Sequence, residues 1–428
     1  MKYDEALEYI NTVTAAAGIV PGLESIGNLC ERLGNPQEKL KFVHIAGTNG
    51  KGSTLAFIST ILLKSGYKVG MYSSPAVIDY REKFRVNNHF ITKKAFADYI
   101  DVVKGVCEKM VLEGLNHPTA FEIETALSFL YFRDCKCDVV VLETGMGGRF
   151  DATNIIKTSQ LAVLTSVSMD HTQYLGETIG DIAWHKCGII KKNVPVVSAA
   201  QIEEVSKIIK DNCRECDSEV VFVDRSNIQT GSFRNNKQRF TYKKAKYQTS
   251  LLGAWQPENA ALAIEAVNIL KRQGYDRIND NSIGKGIEQC VWRGRFEIVS
   301  SKPLVIVDGA HNIDAALRLR ETIDNYYPDK EKIYIIGMFR DKDVTNVAKT
   351  IVSDGKMVFC CATPGSKRAL SPIELADIIR EYNSNVTACD SVYEAVEFAQ
   401  SVYNDNCVII ACGSLAYLGK IIDIFGIK

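Results

Sequence analysis

The sequence predicts an α/β protein: a larger unit with a parallel sheet and a phosphate-binding loop, followed by a smaller α/β unit. Three observations predict it. The apolar run Phe42 to Ala46 passes through the glycine-rich stretch Gly47 to Thr54 into an apolar helix, Leu55 to Leu63, which is the strand, turn and helix of an anion site. Further apolar runs of strand length, Val69 to Tyr72, Asp138 to Glu143 and Leu161 to Val167, each end in polar or acidic residues, as strands buried on both faces of a parallel sheet do. The pattern then restarts at Leu304 to Asp308 beyond a short connecting segment, Trp292 to Glu297. The chain therefore divides at residue 297, into 1–297 and 298–428.

In order, residues 1–40 read as helical, with a stripe at Tyr3, Ala6, Leu7, Tyr9 and Ile10, a break at Pro21 and Gly22, and renewed helical spacing from Leu23 to Leu33. The second strand ends at Ser73, Ser74 and Pro75, and a parallel sheet presents its functional residues where strands end, so Ser74 shares an edge with the glycine loop. Arg81 to Asn87 is too charged for a core and reads as a substrate-facing loop or a solvated turn. Residues 119–133 form a helix with a broad apolar face, carrying Phe121 and, in its first turn, Glu122. Glu143 ends a buried strand beside the glycine loop, where a nucleotide's magnesium is commonly held; capping a helix is its other reading. Ser168 to His171 follows the next strand, and this placement favours a ligand role for His171 over a structural one.

A helix over 177–187 brings Lys186 to its C-terminal turn, which the helix dipole alone would also favour. Residues 217–252 alternate, predicting antiparallel strands appended to the sheet, and their Lys and Arg residues read as a solvated face. Gly253 to Asn259 opens a helix that runs to Arg272. In the second unit, strands over 333–337, 357–361 and 407–411 alternate with helices, Arg295 lies at the hinge, and Asp308 ends the first strand.

In the glycine loop, Gly47, Gly50 and Gly52 let backbone N–H groups turn onto an anion, the helix adds its positive end, and Lys51 adds a point charge. Ser53 is placed to set a hydroxyl on Mg²⁺. The general pattern asks for glycine where Ile45 stands and Ser or Thr where Gly52 stands, so this is a compressed variant.

Composition sets the class. The chain has 428 residues, 46% of them hydrophobic, with 51 basic residues matching 51 acidic ones; no overall field draws it to nucleic acid or membrane. The 13 cysteines are scattered, several in apolar runs, and read as reduced thiols. Cys213 and Cys216 form a CxxC without a second pair, which does not suffice for a metal site. The opening residues do not show the charged n-region and apolar h-region pattern, and no apolar run approaches the ~18 residues of a membrane span. A cytoplasmic protein is expected.

The stretches His44 to Ser53, Ser73 to Pro75, Leu142 to Asn154 and Met169 to His171 resemble the folylpolyglutamate and dihydrofolate synthases of the Mur ligase superfamily. Gly253 to Asn259, Trp292 to Arg295, Asp308 to Asn312 and Gly413 to Leu415 match in the same order. The resemblance covers roughly residues 20 to 420 and implies a P-loop ATPase domain followed by a smaller Rossmann-like domain. It further implies ATP-dependent addition of L-glutamate to a folate, and leaves open addition to dihydropteroate, through an acyl phosphate.

The same resemblance implies that Gly47, Thr48, Asn49, Gly50, Lys51, Gly52, Ser53, Asn259, Arg295 and Asp308 hold ATP. Ser74, Glu143, His171 and a carbamylated Lys186 would hold Mg²⁺ at two sites. Lys51, His171, Lys186 and His311 would serve catalysis, and Arg81, Phe121 and Ser414 the substrates, with His311 and Ser414 seating glutamate. A monomer is expected, with neither nucleic acid nor membrane as partner. The chain departs from the family at Ala76 and Trp255, where His is common, at His185, where Glu is, and at Lys83-Phe84 in place of Arg-Ile. Two other readings remain: a Mur-type ligase for a different carboxylate, and a P-loop nucleotide switch.

Overall fold

The computed structural model describes residues 1–16, 22–365 and 367–426; the break expected at Pro21 lies outside them. Helix α1 (Tyr3–Ala16) buries Ala6, Ile10 and Val13, α2 (Glu24–Arg32) buries Ile26, Leu29 and Cys30, and β1 (Phe42–Ala46) is buried throughout. Then come α3 (Lys51–Lys64), β2 (Val69–Tyr72), β3 (Phe84–Val86), β4 (His89–Phe90), α4 (Lys93–Leu112), α5 (Ala120–Asp134), β5 (Val139–Glu143) and β6 (Leu161–Leu164). After α6 (Thr172–Leu175), α7 (Ile179–Cys187), β7 (Val196–Ser198), α8 (Glu203–Glu215) and β8 (Val220–Phe222), a hairpin series follows, β9 (Ile228–Arg234), β10 (Lys237–Tyr242) and β11 (Ala245–Thr249). Helices α9 (Gln256–Arg272) and α10 (Asp280–Glu288) lead to the smaller unit: β12 (Glu297–Ser301), β13 (Leu304–Val307), α11 (Ile313–Tyr326), β14 (Glu331–Ile336), α12 (Val344–Val352), β15 (Met357–Cys360), α13 (Pro372–Arg380), β16 (Val386–Ala388), α14 (Val392–Ser401), β17 (Cys407–Cys412) and α15 (Leu415–Phe425).

The large sheet runs β4-β3-β2-β5-β1-β6-β7-β8. From β2 to β8 the neighbours are parallel, and β3 and β4 add an antiparallel edge. Pairing of Ile45 with Glu143 and Val163, and of Tyr72 with Leu142, brings the ends of β1, β2, β5 and β6 to one level. Four loops thus open on one edge, the crevice where open α/β sheets bind ligands. Helix α3 is buried on every side from Gly52 to Leu62 because it is sandwiched between this sheet and α9 and α10. At Gly286 of α10 a Cβ would lie 2.6 Å from the Ile61 Cα, so glycine lets the two backbones touch. The smaller sheet runs β12-β13-β17-β14-β15-β16, parallel except for β12, with its own apolar layers on both faces.

Several expectations are corrected. The segment 217–252 does not extend the large sheet as antiparallel strands: β8 joins it in parallel, and β9–β11 form a separate three-stranded antiparallel sheet. Its inward residues Phe240 and Tyr242 pack into the core around α3, α9 and α10, which gives the alternation its period. Nor is Arg81–Asn87 a loop throughout: Phe84 is fully buried in β3, and Glu82 is buried as it accepts the backbone N–H groups of Val77, Ile78 and Asp79. The charge there serves local bonding. All 13 cysteines are free thiols.

Candidate active site

Strand β1 ends in a loop held open by backbone conformation. Gly47 has φ 150 and Gly50 φ 89, and a Cβ on Gly47 would fall 1.8 Å from Thr165 Oγ1; only glycine fits. Thr48 N–H donates to Ser166 O at 2.7 Å, and Thr48 Oγ1 donates to Ser168 O at 2.9 Å, tying the loop to the segment after β6. Gly50 caps α3 without a side-chain hydrogen bond, so the first-turn N–H groups remain free to meet an anion. Lys51 Nζ curls back over the loop, 3.2 Å from both Gly47 O and Thr48 O. Asn259 lies against Gly50, while Gln256 of the same helix donates to Ser53 Oγ at 3.3 Å.

A cavity of about 470 Å³ opens between this loop and the smaller unit. Its walls include residues 47–53, Ser74, Glu143, His171, Lys186, Arg295, Asp308, His311 and Ser414. Most of the sequence-predicted residues therefore meet. Asn259 stands behind Gly50. Phe121 stands behind the wall, its ring against Gly145. Arg81 is not brought in: its guanidinium pairs with Asp79 and lies over the Tyr3 and Phe90 rings.

Electrostatics sharpen the picture. Burial, with the Lys51 ammonium nearby, draws the Lys186 amine down to about 7, and its Nζ lies 2.8 Å from Gly47 O. Burial raises the Glu143 carboxyl to about 7 against the pull of Lys51 and Arg295, and the Ser74 backbone N–H donates to it. Burial likewise lowers His171 to about 4 despite Asp170 beside it, leaving a neutral imidazole, the metal-binding form. His171 holds a left-handed backbone, φ 52, uncommon for a residue with a side chain. Asp308 is raised by burial, and its two oxygens accept Phe296 N–H and Ala310 N–H at 2.8 Å each. It thus clamps the hinge to the loop after β13. His311 Nδ1 bonds Gly309 O at 2.7 Å, and Ser414 caps α15 by accepting Ala416 N–H at 3.2 Å.

Among the described residues no three or more His, Cys, Asp or Glu side chains form a metal cage. Ser74, Glu143 and His171 are instead a sparse set of hard and neutral donors, which suits magnesium held largely by phosphates and water.

Sequence reasoning missed Lys83, Asp170, Trp255, Arg318, Phe339, Lys342 and Arg368 as wall residues. Lys342 and Phe339 follow β14, so the strand-end rule applied to the second sheet would have found them. Lys83 belongs to the stretch that reads as a substrate-facing loop or a solvated turn, without a role of its own; the buried Glu124 carboxylate, 2.8 Å away, and the Tyr80 ring fix its direction. Across the cavity mouth, Lys342 Nζ lies 2.6 Å from Asp170 Oδ1. Burial works against ionisation of Asp170, but His311 and Lys342 hold its carboxyl well below the usual range.

Residues 45–267 match the family model for the Mur ligase middle domain, and residues 294–415 that for the Mur ligase glutamate ligase domain. The chain is 32% identical over 415 residues to the dihydrofolate synthase/folylpolyglutamate synthase of Bacillus subtilis, covering 94% of this chain and 95% of that protein. It is 31% identical to the Escherichia coli enzyme of the same description, covering 94% and 91%. Among solved structures, it is similar to Mycobacterium tuberculosis folylpolyglutamate synthase complexed with ADP and AMPPCP, with a TM-score of 0.90, 26% identity and 100% and 99% of the two chains covered. It is also similar to E. coli FolC in complex with DHPP and ADP, with a TM-score of 0.86, 29% identity and 99% and 97% covered.

Proposed function

The chain belongs to the Mur ligases, among the folylpolyglutamate and dihydrofolate synthases, and on that premise we propose how its residues divide the work. It is an ATP-dependent ligase that joins L-glutamate to a folate through an acyl phosphate. We take dihydropteroate as a second acceptor, the reading that relatives described as both synthases support. The observation that carries the proposal is one cavity walled by the phosphate loop, by Ser74 and Glu143 at neighbouring strand ends, and by His311 and Ser414 of the smaller unit.

The chemical difficulty is charge, since an anionic carboxylate must approach the anionic γ-phosphate. Positioning and electrostatic stabilisation therefore do most of the work. Lys51 and the N–H groups of residues 47–53 hold the terminal phosphates, with Asn259, Arg295 and Asp308 on the nucleotide side. Ser74 and Glu143 would hold one Mg²⁺, and Glu143, His171 and Lys186 would hold a second. Magnesium supplies charge neutralisation and Lewis acidity at the phosphoryl oxygens. We assign a carbamate to Lys186, because a buried amine lowered to about 7 has the neutral form that CO₂ requires, and the product is an anionic oxygen ligand. His311 and Ser414 seat glutamate. Phe121, behind Gly145, shapes the acceptor side, and Arg81 stiffens the 75–84 loop that borders it. Closure of the smaller unit excludes water from the acyl phosphate.

We place the domain boundary at residue 297, where β12 begins, and read the protein as a cytoplasmic monomer. The free thiols support a reducing compartment, and among the described residues no helix is long and apolar enough to cross a membrane. The test is phosphate release with Mg-ATP and glutamate, with tetrahydrofolate, dihydropteroate or no acceptor, followed by product mass. One added glutamate on both acceptors supports the bifunctional reading, and on tetrahydrofolate alone an elongating one. Release that ignores both returns the assignment to another carboxylate or to a nucleotide switch.

A further inference from the structure

Asp170, in the loop after β6, is used by none of the roles above, yet it collects contacts from both units. Its Oδ1 accepts the His171 N–H at 2.8 Å and Lys342 Nζ at 2.6 Å. Its Oδ2 accepts Asn312 Nδ2 at 3.1 Å, with His311 Nε2 3.6 Å away. Lys342, Asn312 and His311 all come from the smaller unit. Asn312 also exchanges two hydrogen bonds with Asn49 of the phosphate loop, at 3.0 and 3.1 Å, and Asn49 donates to Asp314 Oδ2 at 2.8 Å. The side chains of Asp170 and Lys342 are only 8% and 7% exposed. A pair so stripped of water is strongly coupled, and either partner left alone would be a buried, uncompensated charge.

We propose that Asp170 and Lys342 form the latch that closes the smaller unit over the phosphate loop, making Asp170 a positioning residue for closure. The inference rests on the ligase reading of the cavity. An enzyme whose competent form is only partly populated shows weakened apparent affinity in proportion to that population, and ligands bridging both units restore it at saturation. A latch therefore acts on KM, whereas a group in the chemical step acts on kcat.

The experiment compares wild type, D170N, K342M, K342R and the double D170N/K342M by small-angle scattering without ligand and by steady-state kinetics in Mg-ATP, folate and glutamate. D170N and K342M are expected to raise the radius of gyration and to raise the KM for Mg-ATP at least fivefold, with kcat within twofold of wild type. K342R keeps the charge and stays compact. In the double variant the effects do not multiply, because one interaction is lost once. If an unpaired buried charge keeps a single variant from folding, the neutral double carries the scattering test. Expansion of the double supports the latch, and a double as compact as wild type overturns it. Wild-type KM in D170N, a kcat loss without expansion, or single effects that multiply would overturn it as well. Wild-type protein inert toward folate and glutamate would fail the ligase reading instead, leaving scattering to judge the latch.

Discussion

His44 should make this fold acid-sensitive in a way that a single substitution removes. Its ring is fully buried in β1, Nε2 pairs with Thr153 Oγ1 at 2.9 Å, and Nδ1 has no partner. Burial, with some help from Lys191, lowers it from 6.5 to about 3. The unfolded chain thus takes up a proton between those values that the native state refuses, so stability falls as pH drops through the window. At one pKa unit per about 1.4 kcal/mol, the loss is roughly 2 kcal/mol by about pH 5 and at most about 5 kcal/mol near pH 3. His44→Gln keeps an amide where Nε2 stood and has no proton to gain. Urea unfolding midpoints near neutrality and near pH 5 for both proteins isolate the effect, since every other titrating group is common to them. The wild type should lose about 2 kcal/mol more than the variant over that interval. Parallel losses in the two would refute the reasoning, even if the variant is less stable throughout.

Gly47→Ala places a methyl on Thr165 Oγ1 at a backbone φ of 150. It should abolish ADP binding by calorimetry and lower stability by about 1–3 kcal/mol. Glu143→Gln removes the charge at a strand end shared by both metal assignments. It should weaken magnesium-dependent nucleotide binding by at least tenfold while leaving magnesium-free ADP binding close to wild type. Gly286→Ala, where α10 touches Ile61, should cost about 1–3 kcal/mol in chemical denaturation with the KM for ATP unchanged, because that contact lies behind α3.

Strand ends were legible because the sheet is parallel. Runs such as 139–142 are apolar at every position, and the residue that breaks each run, here Glu143, falls on the ligand edge. The glycine loop was legible for the same local reason. Apart from helix α4, what escaped depends on long-range packing. Helix α4 passed unnoticed between two louder motifs, although its buried Phe96, Ile100, Val103, Cys107 and Met110 keep helical spacing. The hairpin sheet β9–β11 has the right period, but nothing local says whether an alternating strand pairs with the main sheet or lies over its helices. Arg81 has a substrate role only by resemblance, and nothing local in the sequence shows that its guanidinium pairs with Asp79 at 2.5 Å. Lys83, two residues on, faces the cavity.

The division of the site between two units has an electrostatic reason. The cavity wall carries Lys51, Lys83 and Lys186 from the larger unit, Arg295 from the hinge, and Arg318, Lys342 and Arg368 from the smaller one, against the carboxylates Glu143, Asp170 and Asp308. Closing the units without anions between them brings like charges together out of water, at about 1–4 kcal/mol for a pair at contact distance. Lys186, lowered in part by Lys51, already registers that repulsion within one unit. A nucleotide and two acids bring negative charge that offsets this repulsion, so filling the cavity adds to the closure that the Asp170–Lys342 pair already favours. Had all these cations sat on one sheet edge, the field would be present in the open state, and ATP bound there would be exposed to water. Split as they are, the full field exists only when the smaller unit is down and water is out. Lys342 comes down with that unit and already has its counter-charge in Asp170.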